Sequence, residues 1–303
     1  MDLLLPDLAG TGRRLALAWT DDGRDRSRLG FTYLEPLAFG TPLDLEGSLA
    51  HEVEAESYTR FSADLRARLA VAGAWGLEFG LGRDRGTYPS GAWTSTRRLR
   101  ARAALLRRRG DPGRSGWAGQ FGFETARRQA VARVDTAAGA PVTPAGGTEA
   151  RQSLLDLTWS GEAFLTATLS VAARGAFAEV RGDGGPFPLA EQYRFGGART
   201  LRGYREGAFH GERVAQGSLE IRIGRPYRSR LYTFFDLGYF RFATVAATTE
   251  NPDRTVIQEG TPRGFGLGLE TRAGGGDVSL AIGLPGRWNF DAALLHVSLL
   301  QTF

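Results

Sequence analysis

The sequence predicts an all-β chain, a transmembrane antiparallel β-barrel of about fourteen strands. Three observations predict it. Apolar and polar residues alternate strictly along much of the 303 residues. The alternating segments are about ten residues long, the span of a tilted membrane strand. Short and long connections alternate between them, as expected when tight turns line one rim of a barrel and loops line the other.

The elements follow in order. Leu15, Leu17 and Trp19 alternate with Arg14, Ala16 and Ala18, and Leu43, Leu45 and Leu49 with Asp44, Glu46 and Ser48. Phe61, Ala63, Leu65, Ala67 and Leu69 are separated by Arg60, Ser62, Asp64, Arg66 and Arg68, and Leu99, Ala101, Ala103 and Leu105 are separated by Arg100, Arg102 and Ala104 after Arg98. Leu165, Ala167, Leu169 and Val171 repeat the pattern. A period of two places one apolar and one polar face on each strand. The segments fall at 12–20, 26–36, 42–54, 57–71, 73–85, 94–107, 115–127, 150–159, 163–177, 212–224, 229–241, 263–273, 276–284 and 293–303. No helical segment interrupts them, which excludes a βαβ architecture. Short links are expected at 37–41, 71–73, 108–114, 161–163, 225–228 and 274–276. Longer ones are expected at 86–94, 128–150, 180–211, 243–262 and 285–292. Ala137 to Gly147, rich in Ala, Pro, Gly and Thr, reads as an external loop.

Composition removes other classes. With no cysteine, disulfide frameworks and Cys-based metal or redox sites are out. No uncharged apolar run reaches the ~18 residues of a spanning helix. The net charge of +5 comes from 38 basic residues, all Arg; this reads as coding bias, and no nucleic-acid partner is expected. His51, His210 and His296 have no metal-cluster spacing, and no nucleophile–base–acid set stands out, so neither a metal, a cofactor nor an enzymatic activity is expected. Residues 1–7 carry no basic region, apolar core or cleavage site, so they do not read as a signal peptide.

Aromatic placement supports the barrel. Trp75, Trp117, Trp159, Tyr33 and Phe303 all fall near the short-turn rim on the lipid parity, as an interfacial girdle requires. Arg98, Arg100, Arg102 and Arg107 either form a basic wall or line a solvated lumen balanced by Asp44, Glu46, Glu78 and Asp156. In the last segment Leu295, Val297, Leu299 and Phe303 share one parity. This resembles the C-terminal targeting strand of bacterial outer-membrane proteins.

Three motifs follow one another late in the chain: Phe195-Gly196-Gly197-Ala198-Arg199-Thr200-Leu201-Arg202-Gly203-Tyr204-Arg205, Ser218-Leu219-Glu220-Ile221-Arg222 and Phe234-Phe235-Asp236-Leu237-Gly238. In this order the set resembles the BamA, TamA and FhaC superfamily of outer-membrane assembly and translocation barrels. Leu8-Ala9-Gly10-Thr11-Gly12-Arg13 and Tyr33-Leu34-Glu35-Pro36 resemble early segments of the same family. The resemblance implies a long external loop folded into the lumen, with Leu201, Arg202, Gly203 and Tyr204 at its tip. It also implies that Glu220 and Asp236 are the acidic partners of Arg202. Strand parity agrees, since Glu220 and Asp236 lie opposite to the lipid-facing Leu219, Ile221, Phe235 and Leu237. Gly264, Gly266 and Gly268, alternating in one strand, are expected to leave room for the loop.

Family barrels have sixteen strands, preceded by periplasmic POTRA repeats. Here about fourteen strands and no POTRA repeat are read, so the chain is expected to be one barrel domain, N-terminally truncated relative to the family: a fragment or an internal start. An even strand number would let the first and last strands pair antiparallel. The implied function is assembly, insertion or translocation of proteins at the outer membrane of a Gram-negative bacterium. The implied partners are outer-membrane lipid and lipopolysaccharide, with unfolded outer-membrane proteins or secreted polypeptide as clients. A passive pore or structural barrel that keeps the fold without that role is the alternative.

Overall fold

A computed structural model describes residues 2–5, 7–21, 25–90, 93–110, 115–132, 149–183, 187–225, 228–246, 254–273 and 276–302. The loop expected at 137–147 and Phe303 lie outside these residues. The strands are β1 (Asp2–Leu5), β2 (Arg14–Asp21), β3 (Arg26–Glu35), β4 (Leu43–Glu54), β5 (Tyr58–Ala72), β6 (Trp75–Thr87), β7 (Trp93–Arg109), β8 (Gly116–Ala132) and β9 (Glu149–Phe164). They continue with β10 (Leu169–Gly182), β11 (Tyr193–Phe195), β12 (Phe209–Gly211), β13 (Arg213–Gly224), β14 (Ser229–Ala246), β15 (Arg254–Gly260), β16 (Arg263–Ala273), β17 (Gly276–Pro285) and β18 (Leu294–Thr302). All but β11 and β12 belong to one sheet.

Fourteen long strands occupy the fourteen expected positions, and all their mutual pairings are antiparallel. Besides the hairpin of β11 and β12, two shorter strands of the large sheet, β1 and β15, were not expected. β15 pairs with the upper part of β14 and continues the line of β16. The interruption falls at Pro262, which has no N–H to donate to a ladder; its carbonyl instead accepts from Gly238 N at 2.7 Å. β1 lies between β2 and β18, antiparallel to the first and parallel to the second. The fourteen long strands and β1 make an odd number of staves, and an odd ring forces one parallel neighbour pair. The antiparallel meeting of first and last strands that an even number would allow therefore does not occur, and β1 meets β18 in parallel.

One turn also moves. The expected link at 161–163 is strand. Gly161 pairs with Trp117 and Ala173, and the chain turns at 165–168, so Leu165 and Ala167 leave the alternation. The Thr166 hydroxyl accepts from the backbone N–H groups of Thr168 and Leu169 at 3.2 and 3.0 Å, which fixes the turn.

The two faces differ as period two demands. Large apolar side chains such as Phe79, Leu99, Phe121, Leu219 and Phe235 are exposed on the outer face, whereas Glu78, Asp84, Glu124 and Asp236 are buried on the inner one. Trp75, Trp117 and Trp159 are 41%, 42% and 49% exposed, so the girdle faces outward. Tyr33 is half-buried, with its hydroxyl bonded to Glu35 at 2.6 Å. In β18, Leu295 and Val297 point outward, and Leu299 lies in the strand opposite Val278.

Inside, Arg68 bridges Glu46 and Glu78, Arg102 bridges Glu78 and Asp156, and Arg100 bridges Asp64 and Asp84. Arg98 lies 3.7 Å from Asp84 and 3.9 Å from Glu124. These arginines form a neutralised lumen belt rather than a basic wall. Asp44 takes no part; it accepts from Leu37 N at 3.0 Å. Arg107 is the exception among the four arginines. It faces outward, with its guanidinium 4.4 Å from the Trp75 ring centre and 5.0 Å from that of Trp117.

Candidate functional site

The segment between β10 and β13 folds into the lumen. Its hairpin, β11 with β12, carries a stack in which Phe209 lies 5.4 Å from Phe195, 4.9 Å from Tyr204 and 5.5 Å from Phe240 on β14. Burial of these rings against the wall drives the docking. Gly196 and Gly197 turn the chain at φ +119° and +99°, where a side chain would be strained. The Thr200 hydroxyl accepts from Gly196 N at 2.7 Å. Leu201, 0% exposed, then packs against Phe195, Ala178 and Val214.

Arg202 follows and is 2% exposed. Its Nε and Nη2 donate to the two oxygens of Asp236 at 2.8 and 2.7 Å, and its backbone N–H adds a third bond to that carboxylate at 2.9 Å. Nη1 lies 2.7 Å from Glu220 Oε1, and Nη2 also donates to Ser218 Oγ at 2.8 Å. The guanidinium carbon sits 3.6 Å over the Phe234 ring and 5.6 Å from that of Tyr232. Burial disfavours the Arg202 charge, but the hydrogen bonds to Asp236 and the charges of Asp236 and Glu220 outweigh it and raise the pKa. Removing one member of such a pair strands a buried charge and costs about 3–5 kcal/mol.

Gly203 has φ +91°, and its backbone N–H donates to His296 Nε2 at 3.0 Å. A Cβ here would meet the Leu284 backbone at 2.8 Å, so the tip lies flat on β17. The Tyr204 hydroxyl donates to the Arg263 carbonyl at 3.1 Å. All four tip residues singled out in the sequence therefore meet the wall, and both acids singled out with them receive Arg202. The glycine row divides its work. A Cβ on Gly264 would collide with the Arg202 carbonyl, while Gly266 and Gly268 make room for the rings of Phe234 and Tyr232 that underlie the guanidinium.

Sequence reasoning missed Ser218, Tyr232, Phe234 and His296. Each shares a strand parity with a lumen residue: Ser218 with Glu220, and both rings with Asp236. Aromatic residues on a polar face were the usable signal. It also missed a second anchor. Glu191, in the 3-10 turn Leu189–Glu191, accepts from Gln152 Nε2 at 2.6 Å and lies 3.5 Å from Arg128, all three buried. Nearby, His210 Nδ1 lies 2.6 Å from Gln192 Oε1. Burial and the charge of Arg194 push His210 down to about 4.

The docked loop leaves a cavity of about 890 Å³ on its short-turn side, lined by Arg68, Arg108, Gln120, Arg174, Thr200 and Gln216 among others.

Comparisons with known proteins follow this architecture. BamA from Haemophilus ducreyi lacking POTRA domains 1–3 superposes with a TM-score of 0.59 at 14% identity, covering 96% of this chain and 65% of that one. CdiB from Escherichia coli gives 0.60 at 13% identity, covering 98% and 57%, and CdiB from Acinetobacter baumannii gives 0.53 at 13%, covering 99% and 64%. The chain thus spans less than two thirds of each of these proteins. No curated protein sequence matches it. The profile of the Omp85 superfamily domain matches residues 7–289. With that match across most of its length, the chain belongs to the Omp85 superfamily.

Proposed function

We propose that the chain is the outer-membrane barrel of a factor that inserts proteins into, or moves polypeptide across, the bacterial outer membrane. One observation carries the reading: a loop tip locked into the wall by a buried Arg202 that bonds Asp236, Glu220 and Ser218. A barrel that only spans the membrane needs no such lock. The loop occupies the lumen on a rigid seat, which suits a barrel that works by its wall rather than by free passage. Outer-membrane lipid, including lipopolysaccharide, surrounds it, and unfolded outer-membrane proteins or secreted polypeptide are its clients. The reading assigns no enzymatic step.

Arg202→Ala tests it by complementation in the native host. The expected result is a loss of client assembly or secretion at normal barrel abundance, with Asp236→Asn giving the same defect. Full activity in Arg202→Ala would overturn the reading. So would a large steady conductance of the wild-type chain in planar bilayers, which fits a passive pore.

A further inference from the structure

We propose that the outer face of β6–β9, near the long-loop rim, binds the phosphates of an outer-leaflet phosphorylated glycolipid of the lipopolysaccharide class. The inference rests on the outer-membrane location and not on the assembly role.

The outward residues of these strands form bands. On β6, Leu77, Phe79 and Leu81 give way to Arg83 and Arg85; on β7, Arg97 stands beyond Leu99; on β8, Arg127 stands beyond Phe121 and Phe123; on β9, Arg151 stands beyond Leu155 and Leu157. The register draws the five arginines together. Arg85 is directly opposite Arg97, Arg127 is directly opposite Arg151, and Leu99 links the two pairs by facing both Arg83 and Arg127. All five are exposed.

Like charges placed directly opposite each other destabilise a sheet. The chain neutralises such charges where they face inward: Arg98, Arg100 and Arg102, on the same strand as Arg97, all lie against carboxylates. Outside it does so only in part. Glu149 bonds Arg127 at 2.9 Å, while Arg83, Arg85, Arg97 and Arg151 have no carboxylate partner among the described residues. A surface that keeps uncompensated guanidinium groups just beyond an apolar band is matched by anions held at that level. Guanidinium forks fit phosphate oxygens with paired hydrogen bonds. A glycolipid phosphate presents that charge at the head-group plane, at the rim where the long loops emerge.

A second observation gives the same ligand a tail. An apolar groove of about 540 Å³ runs over the outer wall between Leu49, Leu65, Leu81 and Leu99, with Ala63 in its floor and Arg83 on its lining. An acyl chain lying there would leave its phosphorylated head beside Arg83.

The test uses the full chain in detergent, freed of lipid, with three probes: lipid A carrying two phosphates, the same lipid dephosphorylated, and inorganic phosphate. Intact lipid A should bind the wild-type chain at least about tenfold more tightly than the dephosphorylated form, and added salt should weaken it. The variant R83Q/R97Q/R151Q should lose that preference, and R97Q alone should lose part of it. R107Q, at the opposite rim, should keep it. Equal affinity for the two lipids, or an undiminished preference in the triple variant, would sink the proposal. Inorganic phosphate that displaces lipid A at matching concentration would also sink it, since the site would then take any small anion. Heat-modifiable migration checks folding. Its absence in the wild-type chain would fell the barrel reading and this inference with it, whereas failed complementation by the wild-type chain bears only on the assembly role.

Discussion

A buried guanidinium persists only where its charge is met by partners, and Arg202 has Asp236, Glu220, Ser218 and the face of Phe234 around it. The meeting of Arg202 with the two acids was legible because motif order and strand parity pointed the same way. Ser218 lies in the second motif with the lumen parity, but nothing in the sequence pairs it with Arg202, and His296 has the parity but no motif. The Glu191–Arg128 pair was not legible, because it depends on the path of the loop across the lumen and no local pattern encodes that path. His210 gives the loop a pH dependence. Its pKa, lowered to about 4 from 6.5, means that the docked loop holds the neutral ring. An undocked His210 takes up a proton below about 6.5, so the contribution of His210 to docking weakens as the pH falls from there to about 4 and is constant below. The chain has no cysteine, so a spin label on R205C reports the loop alone. Its mobility should rise between pH 7 and pH 4.5, and His210→Gln should abolish the change. A label equally immobile at both values would refute the assignment.

Among the elements, β16 is built around what it lacks. Gly264 sits opposite Asp236 and lets the Arg202 carbonyl approach its backbone. Gly264→Val should undock the loop as fully as Arg202→Ala, with matching protease sensitivity near Arg205. Gly217→Ala, whose new Cβ would meet nothing nearer than the Arg174 carbonyl at 4.0 Å, should leave the loop seated; equal damage from both would show that loss of glycine, not the clash, is responsible. The long strands were legible because alternation is a property of each strand by itself. β1 was not, because Leu3, Leu4 and Leu5 form an unbroken apolar run too short to show a period. The misplaced turn had a similar cause. Gly161 looks like punctuation in sequence, yet it is a strand position against Trp117, and the Thr166 side chain that makes the real turn carries a weaker signal.

Over the whole molecule, the belt of inner ion pairs, the docked loop and the outer apolar band are three consequences of one period-two pattern. The ring they share is unevenly fastened. β7 and β8 pair from Trp93 to Arg109, whereas β1 meets β18 at three positions, opposite Leu300, Gln301 and Thr302. On that side, residues 294–299 of β18 have no strand partner among the described residues. In detergent, hydrogen exchange should reach the amides of β1 and of the β18 edge first and those of β7 and β8 last; uniform protection around the ring would contradict this. The odd stave thus has a mechanical meaning. The barrel resembles a garment whose seams are all sewn but one, and that one is held by a short zip, so heat, denaturant or force should part the molecule along a single line before any other strand lets go.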